Sequence, residues 1–169
     1  MRLELSNIIH TPGSALPFAF DLDLSELDFY GEHRLPEPVH IEGSVYNRAE
    51  MLVFQATATT NLHLHCDSCG KAFQRVATVE VEHLLVTELE NEDDADDMEL
   101  IVLDGTTLDV DELMHDEVIL AMDTKNLCRE DCKGRCPRCG KDLNDGPCDC
   151  KPELDPRFAV LAKLLEQDE

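Results

Sequence analysis

The sequence predicts an α+β fold in which a mainly antiparallel β-sheet carries two short-to-medium helices and a C-terminal cysteine-rich ribbon. Three observations predict it. Apolar and polar residues alternate strongly from Gly43 to Cys66 and again from Phe73 to Val86, the period-2 pattern of half-buried strands. Helix-start signals stand at Asp109 and at Asp155-Pro156. Eight cysteines fall in four close pairs, six of them within 23 residues.

Taken in order, Arg2 to Ile9 alternates weakly and reads as a strand, Pro12-Gly13 marks a turn, and Pro36 and Pro38 bracket a loop before His40. Leu52, Phe54, Ala56 and Ala58 share one face of a strand that Leu62, Leu64 and Cys66 continue. Val79 and Val81 share a face of the next strand. Between the two lies Cys66-Asp67-Ser68-Cys69-Gly70, the expected tip of a β-hairpin, which puts two thiols at the end of a rigid ribbon. Residues 88–99 hold eight carboxylates (Glu88, Glu90, Glu92, Asp93, Asp94, Asp96, Asp97, Glu99). That density resists packing, and without the glycine and spacing of an EF-hand loop it reads as a solvated acidic arm able to attract basic partners. Leu100 to Leu103 returns as a short strand closed by Asp104-Gly105. Asp109 then reads as an N-cap, with Glu112 three residues on, opening a helix through Leu113, Met114, Val118, Ala121 and Met122. Pro156 suits the first position of a last helix, whose apolar stripe is Phe158, Leu161, Leu164 and Leu165. The expected organisation is an acidic β-rich domain with one helix over 1–124, a cysteine-rich metal-binding segment over 125–152, and a C-terminal helix over 153–169 packing back on the domain.

A chain of 169 residues is long enough for one domain with a proper core. Met1-Arg2-Leu3-Glu4 does not open a signal peptide, and no apolar run approaches the roughly 18 residues of a membrane helix. The expected location is cytoplasmic, where thiols stay reduced and metal binding is favoured over disulfides. Both C-x-x-C pairs are followed by glycine, Gly70 and Gly140, a turn that points two thiolates at one centre. Cys136 and Cys139 are separated from Cys148 and Cys150 by only eight residues, with turn chemistry from Asn144 to Pro147. A loop that short lets all four sulfurs reach about 2.3 Å from one zinc. The segment has almost no apolar core of its own, so such a site would stabilise it by an apparent ~10–16 kcal/mol. This makes it a C-terminal cysteine-rich zinc ribbon. Cys66 and Cys69 supply half of a second site. Cys128 and Cys132 would close it and leave no odd thiol, the alternatives being a redox pair or a crossed pairing among the eight. The expected cofactor is therefore Zn²⁺ in one or two structural sites. Acidic neighbours raise a thiol pKa and so oppose a reactive thiolate at Cys66 or Cys69. His63 and His65 lie on the strand face opposite Leu62, Leu64 and Cys66, so they read as exposed polar residues. His10, His33, His40, His83 and His115 show no ligand spacing.

The formal net charge is −23. Residues 1–124 carry five Lys/Arg against 27 Asp/Glu, whereas 125–163 carry nine against seven. An acidic surface repels phosphate backbones, so general nucleic-acid binding is disfavoured. No G-x-S-x-G, P-loop, Rossmann glycine pattern or H-E-x-x-H occurs, and no catalytic constellation emerges. A nuclease would need a carboxylate metal site that the spacing does not supply.

Two stretches carry a family resemblance. One is Cys128-Arg129-Glu130-Asp131-Cys132-Lys133-Gly134-Arg135-Cys136-Pro137-Arg138-Cys139-Gly140, continued by Cys148-Asp149-Cys150 and Asp155-Pro156-Arg157-Phe158. The other is Cys66 and Cys69 with Phe73. Over about residues 45–165 the chain resembles the YceD family, bacterial and plastid proteins named for large ribosomal RNA subunit accumulation. Arg135 departs from the pattern, where an apolar residue, usually leucine, is expected. The resemblance implies a role in producing or maintaining large-subunit (23S) ribosomal RNA, without an established enzymatic activity. It also implies that the C-terminal cluster, absent from some members, is a structural staple, and that Cys66 and Cys69 are the shared element. The expected protein is a non-enzymatic ribosome-biogenesis factor that meets basic ribosomal proteins or the precursor large subunit, with no membrane and no small-molecule substrate. Direct rRNA contact would fall to Arg129, Lys133, Arg135, Arg138 and Lys141, whose other role is solubility of the ribbon. The alternative is a thiol redox protein or redox sensor using Cys66 and Cys69, in which one pair stays metal-free.

Overall fold

The computed structural model describes residues 1–29, 31–49, 51–87 and 100–150. The acidic run at 88–99 and the helix expected over 153–169 lie outside these residues. The chain forms two compact units, Met1–His65 with Ala72–Asn126, and Cys66–Lys71 with the chain from Leu127 onward.

The first unit is α+β. Five strands, β2 (Ala15–Leu22), β3 (Val39–Arg48), β4 (Met51–His65), β5 (Ala72–Val86) and β6 (Leu100–Val102), form one sheet in sequence order. Neighbours are antiparallel except β6, which runs parallel to β5. A second, two-stranded sheet pairs β1 (Arg2–Glu4) with β7 (Thr107–Asp109). The alternation in β4 sorts its side chains as the pattern demands. Leu52, Phe54, Ala56, Ala58, Leu62 and Leu64 are buried on one face, and Gln55, Thr59 and His65 are exposed on the other. One core row runs Phe18, Gly43, Ala56, Val81 across four strands. The Phe18 ring stacks on Phe54 with centroids 5.5 Å apart.

Helix α2 (Val110–Leu120) begins where its cap is. The Asp109 carboxylate accepts the backbone N–H of Glu112 at 3.4 Å, satisfying one of the donors that a helix start leaves open. Val110, Met114 and Val118, spaced four apart, are its buried face and join the sheet's core cluster. Each such side chain taken from water contributes about 1.5–3 kcal/mol. His83 on β5 meets Glu117 on the helix at 2.8 Å.

The start of the chain differs from the expected strand. After β1 it folds into one helical turn, α1 (Ser6–Ile9). Leu5 and Ile8, three apart, are buried together, a helical rather than a strand spacing. The buried Asn47 side chain donates from Nδ2 to the carbonyls of Ile8 and Ile9, both at 2.8 Å, supplying partners that the end of a short helix lacks. A tertiary partner thus overrides a weak local alternation. Among the described residues no helix is long and apolar enough to cross a membrane.

The N-terminus is strapped to α2 by charge. The Arg2 Nε donates to Asp109 Oδ2 at 2.9 Å, the Met1 amine pairs with Asp111, and the Val110 N–H donates to the Met1 carbonyl at 2.9 Å. The Arg2 guanidinium, helped by the Glu112 N–H, holds the Asp109 carboxyl below its ordinary pKa. The unfolded chain therefore takes up this proton first on acidification. The contribution of Asp109 is complete above the ordinary carboxylate range near pH 4 and is lost as pH falls through the lowered value. Arg2→Ala is expected to move the Asp109 titration upward, read from its carboxyl carbon shift. An unmoved midpoint would refute the pairing.

Candidate metal centre

Two copies of one local structure supply half of the clustered cysteines. Cys66-Asp67-Ser68-Cys69-Gly70-Lys71 and Cys136-Pro137-Arg138-Cys139-Gly140-Lys141 share the pattern C-x-x-C-G-K. In the first, the Cys66 N–H donates to the Lys71 carbonyl at 2.9 Å and the Gly70 N–H to the Cys66 carbonyl at 2.7 Å. In the second, the same bonds join Cys136 to Lys141 at 2.8 Å and Gly140 to Cys136 at 2.9 Å. The turn closes through a left-handed residue, φ +71° at Gly70 and +73° at Gly140, a conformation that costs glycine little. An antiparallel bridge between Arg135 and Asp142 clamps the base of the second turn.

The structure brings all eight sequence-predicted cysteines into two groups of four. One is Cys66, Cys69, Cys128 and Cys132, and the other is Cys136, Cys139, Cys148 and Cys150. Within each group the sulfurs all lie within 4.8 Å of one another. The Cys66 and Cys132 sulfurs are 3.7 Å apart, and those of Cys69 and Cys128 are 3.8 Å apart. Four sulfurs set tetrahedrally about 2.3 Å from one ion stand about 3.8 Å from each other. A disulfide would need about 2.05 Å, and all eight cysteines are free thiols. Both groups therefore have the spacing to hold a metal ion. Cys66 and Cys69 do not stand as an isolated pair, since each faces a sulfur from the stretch after Leu127.

Electrostatics within each group point the same way. Backbone N–H groups, with that of Cys128 foremost, hold the Cys66 thiol down to about 6 against the effect of burial. The Cys139 and Arg138 N–H groups do the same for Cys136, also to about 6. The expectation that acidic neighbours would raise the thiols of Cys66 and Cys69 does not hold at Cys66, where directed N–H donors at contact distance lower the pKa. The companions of Cys66 and Cys136 move the other way. Burial and then the Cys69 and Cys66 sulfurs push Cys128 up to about 12. The Cys139 sulfur and then burial push Cys150 up to about 12. At Cys69 the Lys71 N–H lowers the pKa, but burial and the Cys66 sulfur together leave it raised. Four thiolates cannot share so small a volume unaided. A divalent cation among the sulfurs would remove the conflict by favouring their deprotonated form.

A layer of bonds supports the sulfurs, and the sequence reading missed its main member. In the sequence Asn144 stands out only as a turn residue. Its Nδ2 donates to the Cys132 sulfur at 3.5 Å and to Asp142 Oδ1 at 2.7 Å. Its Oδ1 accepts from Arg129 Nη2 at 2.6 Å and from the Lys133 N–H at 2.9 Å. Nothing in the sequence separates this asparagine from any other in a turn. Arg135 donates from Nε to the Cys69 carbonyl at 2.5 Å, and its N–H to the Ser68 carbonyl at 3.1 Å. Lys141 Nζ reaches the Pro147 carbonyl at 2.7 Å. Three of the five candidate RNA-contacting cations, Arg129, Arg135 and Lys141, are thus engaged within the ribbon. His63 meets Glu37 and Gln74, and His65 meets Glu32. Neither belongs to a cysteine group.

A family model described as "Large ribosomal RNA subunit accumulation protein YceD" matches residues 54–165. The chain is 24% identical to the uncharacterized protein YlbN of Bacillus subtilis, over 100% of this chain and 99% of that protein. It is 37% identical over 59 residues to an uncharacterized protein of Mycobacterium tuberculosis, covering 35% of this chain and 28% of that one. It is also 36% identical over 61 residues to a chloroplastic protein of Arabidopsis thaliana named large ribosomal RNA subunit accumulation protein YCED homolog 1, covering 36% of this chain and 19% of that one. No solved structure matches.

Proposed function

Because the chain belongs to the YceD family of large ribosomal RNA subunit accumulation proteins, we propose that it is a non-enzymatic ribosome-biogenesis factor. In this reading it supports accumulation of 23S ribosomal RNA in the cytoplasm and is folded around two structural zinc ions. The observation that carries the proposal is that the matched region, 54–165, contains all eight cysteines of the two four-sulfur groups. Four thiolates in tetrahedral spacing favour zinc among the common divalent ions. With every position taken by protein, the ion has no open site for water or substrate, which is the pattern of a structural and not a catalytic zinc. Residues 1–124 would then be the acidic β-rich domain, 125–152 the zinc ribbon, and 153–169 a helix returning to the domain.

The acidic charge of the first 124 residues suits partners of opposite sign, basic ribosomal proteins or precursor large subunits that carry them. Direct contact with rRNA has less support, because Arg129, Arg135 and Lys141 already serve carbonyl, amide or carboxylate oxygens of the ribbon. The test is a strain lacking the protein. Its ratio of large-subunit to small-subunit rRNA should fall and be restored by the intact gene but not by one carrying Cys66→Ser and Cys69→Ser. An unchanged ratio in the null strain would overturn the proposal.

A further inference from the structure

We infer that the two four-sulfur groups load metal as a coupled pair, with Asn144 as a positioning residue that ties a ligand of the first group to the loop closed by the second. This rests on the metal reading above and extends it. In the chain, Asn144 lies between Cys139 and Cys148, inside the loop that the second group would close. In space its amide serves Cys132, a member of the first group.

The amide orientation is set by its partners. Arg129 Nη2 and the Lys133 N–H can only donate, so the atom that meets them is the oxygen. The NH₂ group is left facing the Cys132 sulfur and Asp142. An N–H aimed at a sulfur fixes the direction in which that sulfur presents itself to an ion, the role of a group that supports a ligand. The Asn144 N–H is itself fixed on Asp142 Oδ1 at 2.9 Å, and the Leu143 N–H on the Gly134 carbonyl at 2.9 Å. Closing the second group therefore holds Asn144 where the first group uses it.

A second connection runs through Gly134 and Arg135, between Cys132 and Cys136. Arg135 is bonded to the carbonyls of Ser68 and Cys69 in the first knuckle while its backbone bridges Asp142 beside the second. Gly134 sits so close that a Cβ there would lie 3.0 Å from the Ser68 carbonyl oxygen. Ordering either knuckle fixes a strut that the other leans on. Coupling of this kind is reciprocal: each group must raise the affinity of the other by the same factor.

The test is zinc titration of the full-length reduced protein against a chromophoric chelator, repeated with Co²⁺ to follow thiolate-to-metal absorption. Far-UV circular dichroism checks that the sheet is intact. The wild type should bind two ions. Cys148→Ser with Cys150→Ser should bind one, about tenfold more weakly than the first group does in the wild type, the lower end of effects for ligand-supporting residues. Cys66→Ser with Cys69→Ser should weaken the second group by the same factor. Asn144→Ala should weaken the first group and shrink the penalty of losing the second. Asn144→Asp keeps the oxygen that Arg129 and Lys133 need but turns the N–H donor into an anionic oxygen facing Asp142 and the Cys132 sulfur, so it should weaken the first group at least as much. Two ions bound with affinities indifferent to these changes would overturn the coupling alone. No ion bound by the wild type would overturn the zinc reading and the coupling with it.

Discussion

Stripping metal from the reduced protein should unfold the chain from Leu127 to Cys150 and leave the five-stranded sheet folded. The reason is the distribution of apolar burial. Among the described residues the buried core cluster runs from Leu5 to Val118, and Met122 is the last side chain packed against it. In the described stretch 127–150 only Gly134 and Cys136 are buried. Regular structure there is one three-residue 3₁₀ turn, Leu143–Asp145. The local bonds among Asn144, Arg129 and Arg135 are each worth about 1 kcal/mol net, somewhat more where charged. Ordering a residue costs roughly 1–2 kcal/mol in backbone entropy, so those bonds cannot hold some two dozen residues. A structural zinc ion contributes an apparent ~10–16 kcal/mol, which is the right scale. After a strong chelator is added, amide protons of 127–150 should lose protection, and all eight thiols should react at the rate of free cysteine. Amides of β3, β4 and β5 should keep their protection. If 127–150 stayed protected after elemental analysis showed the metal gone, the ribbon would have another source of stability, and zinc would not be it.

How much of this was legible in the sequence depended on the range of the interactions. The long strands β4 and β5 show themselves because burial on one face imposes period-2 alternation on fifteen residues each. Helix α2 shows itself because Asp109 and Glu112 are a local capping signal. Strand β2 was harder to see. It contains Pro17, which a sheet admits at an edge, and its place at the edge is set by pairing with β3. The helical turn at Ser6–Ile9 depended on Asn47, far along the chain. The same contrast holds at the cysteines. The second group closes over a short loop, so spacing alone groups it. The first joins Cys69 to Cys128 across 59 residues, and could be paired only by accounting for every thiol. From the sequence Arg135 reads as a candidate RNA contact at a position where the family resemblance implies leucine. Its guanidinium instead serves the Cys69 carbonyl, a use that no property of the isolated segment announces.

Gly43→Ala should destabilise the sheet domain by about 3 kcal/mol, at the upper end of what overpacking usually costs. Gly43 lies in the middle of β3, where glycine is a poor strand former, so its presence calls for a steric reason. A Cβ there would stand 2.3 Å from the Gln55 carbonyl oxygen, 2.8 Å from the Ala56 Cα and 2.7 Å from Cζ of Phe18. Two of these three atoms belong to the backbone of β4, the neighbouring strand in the ladder. They can retreat only if hydrogen bonds between β3 and β4 lengthen. The Phe18 ring covers the gap that the missing side chain leaves, and it stacks on Phe54 beneath. This is the arrangement in which an aromatic on one strand shields a glycine on the next. The two sources of strain can be separated by a double-mutant cycle with Phe18→Leu. If the ring were the main obstacle, the smaller side chain would relieve most of the alanine penalty. Since the closest contact is a carbonyl oxygen, most of the penalty should survive in the double variant, read as urea midpoints at constant m. Full relief by Phe18→Leu would show that β4 yields and that the ring alone demands glycine at this position.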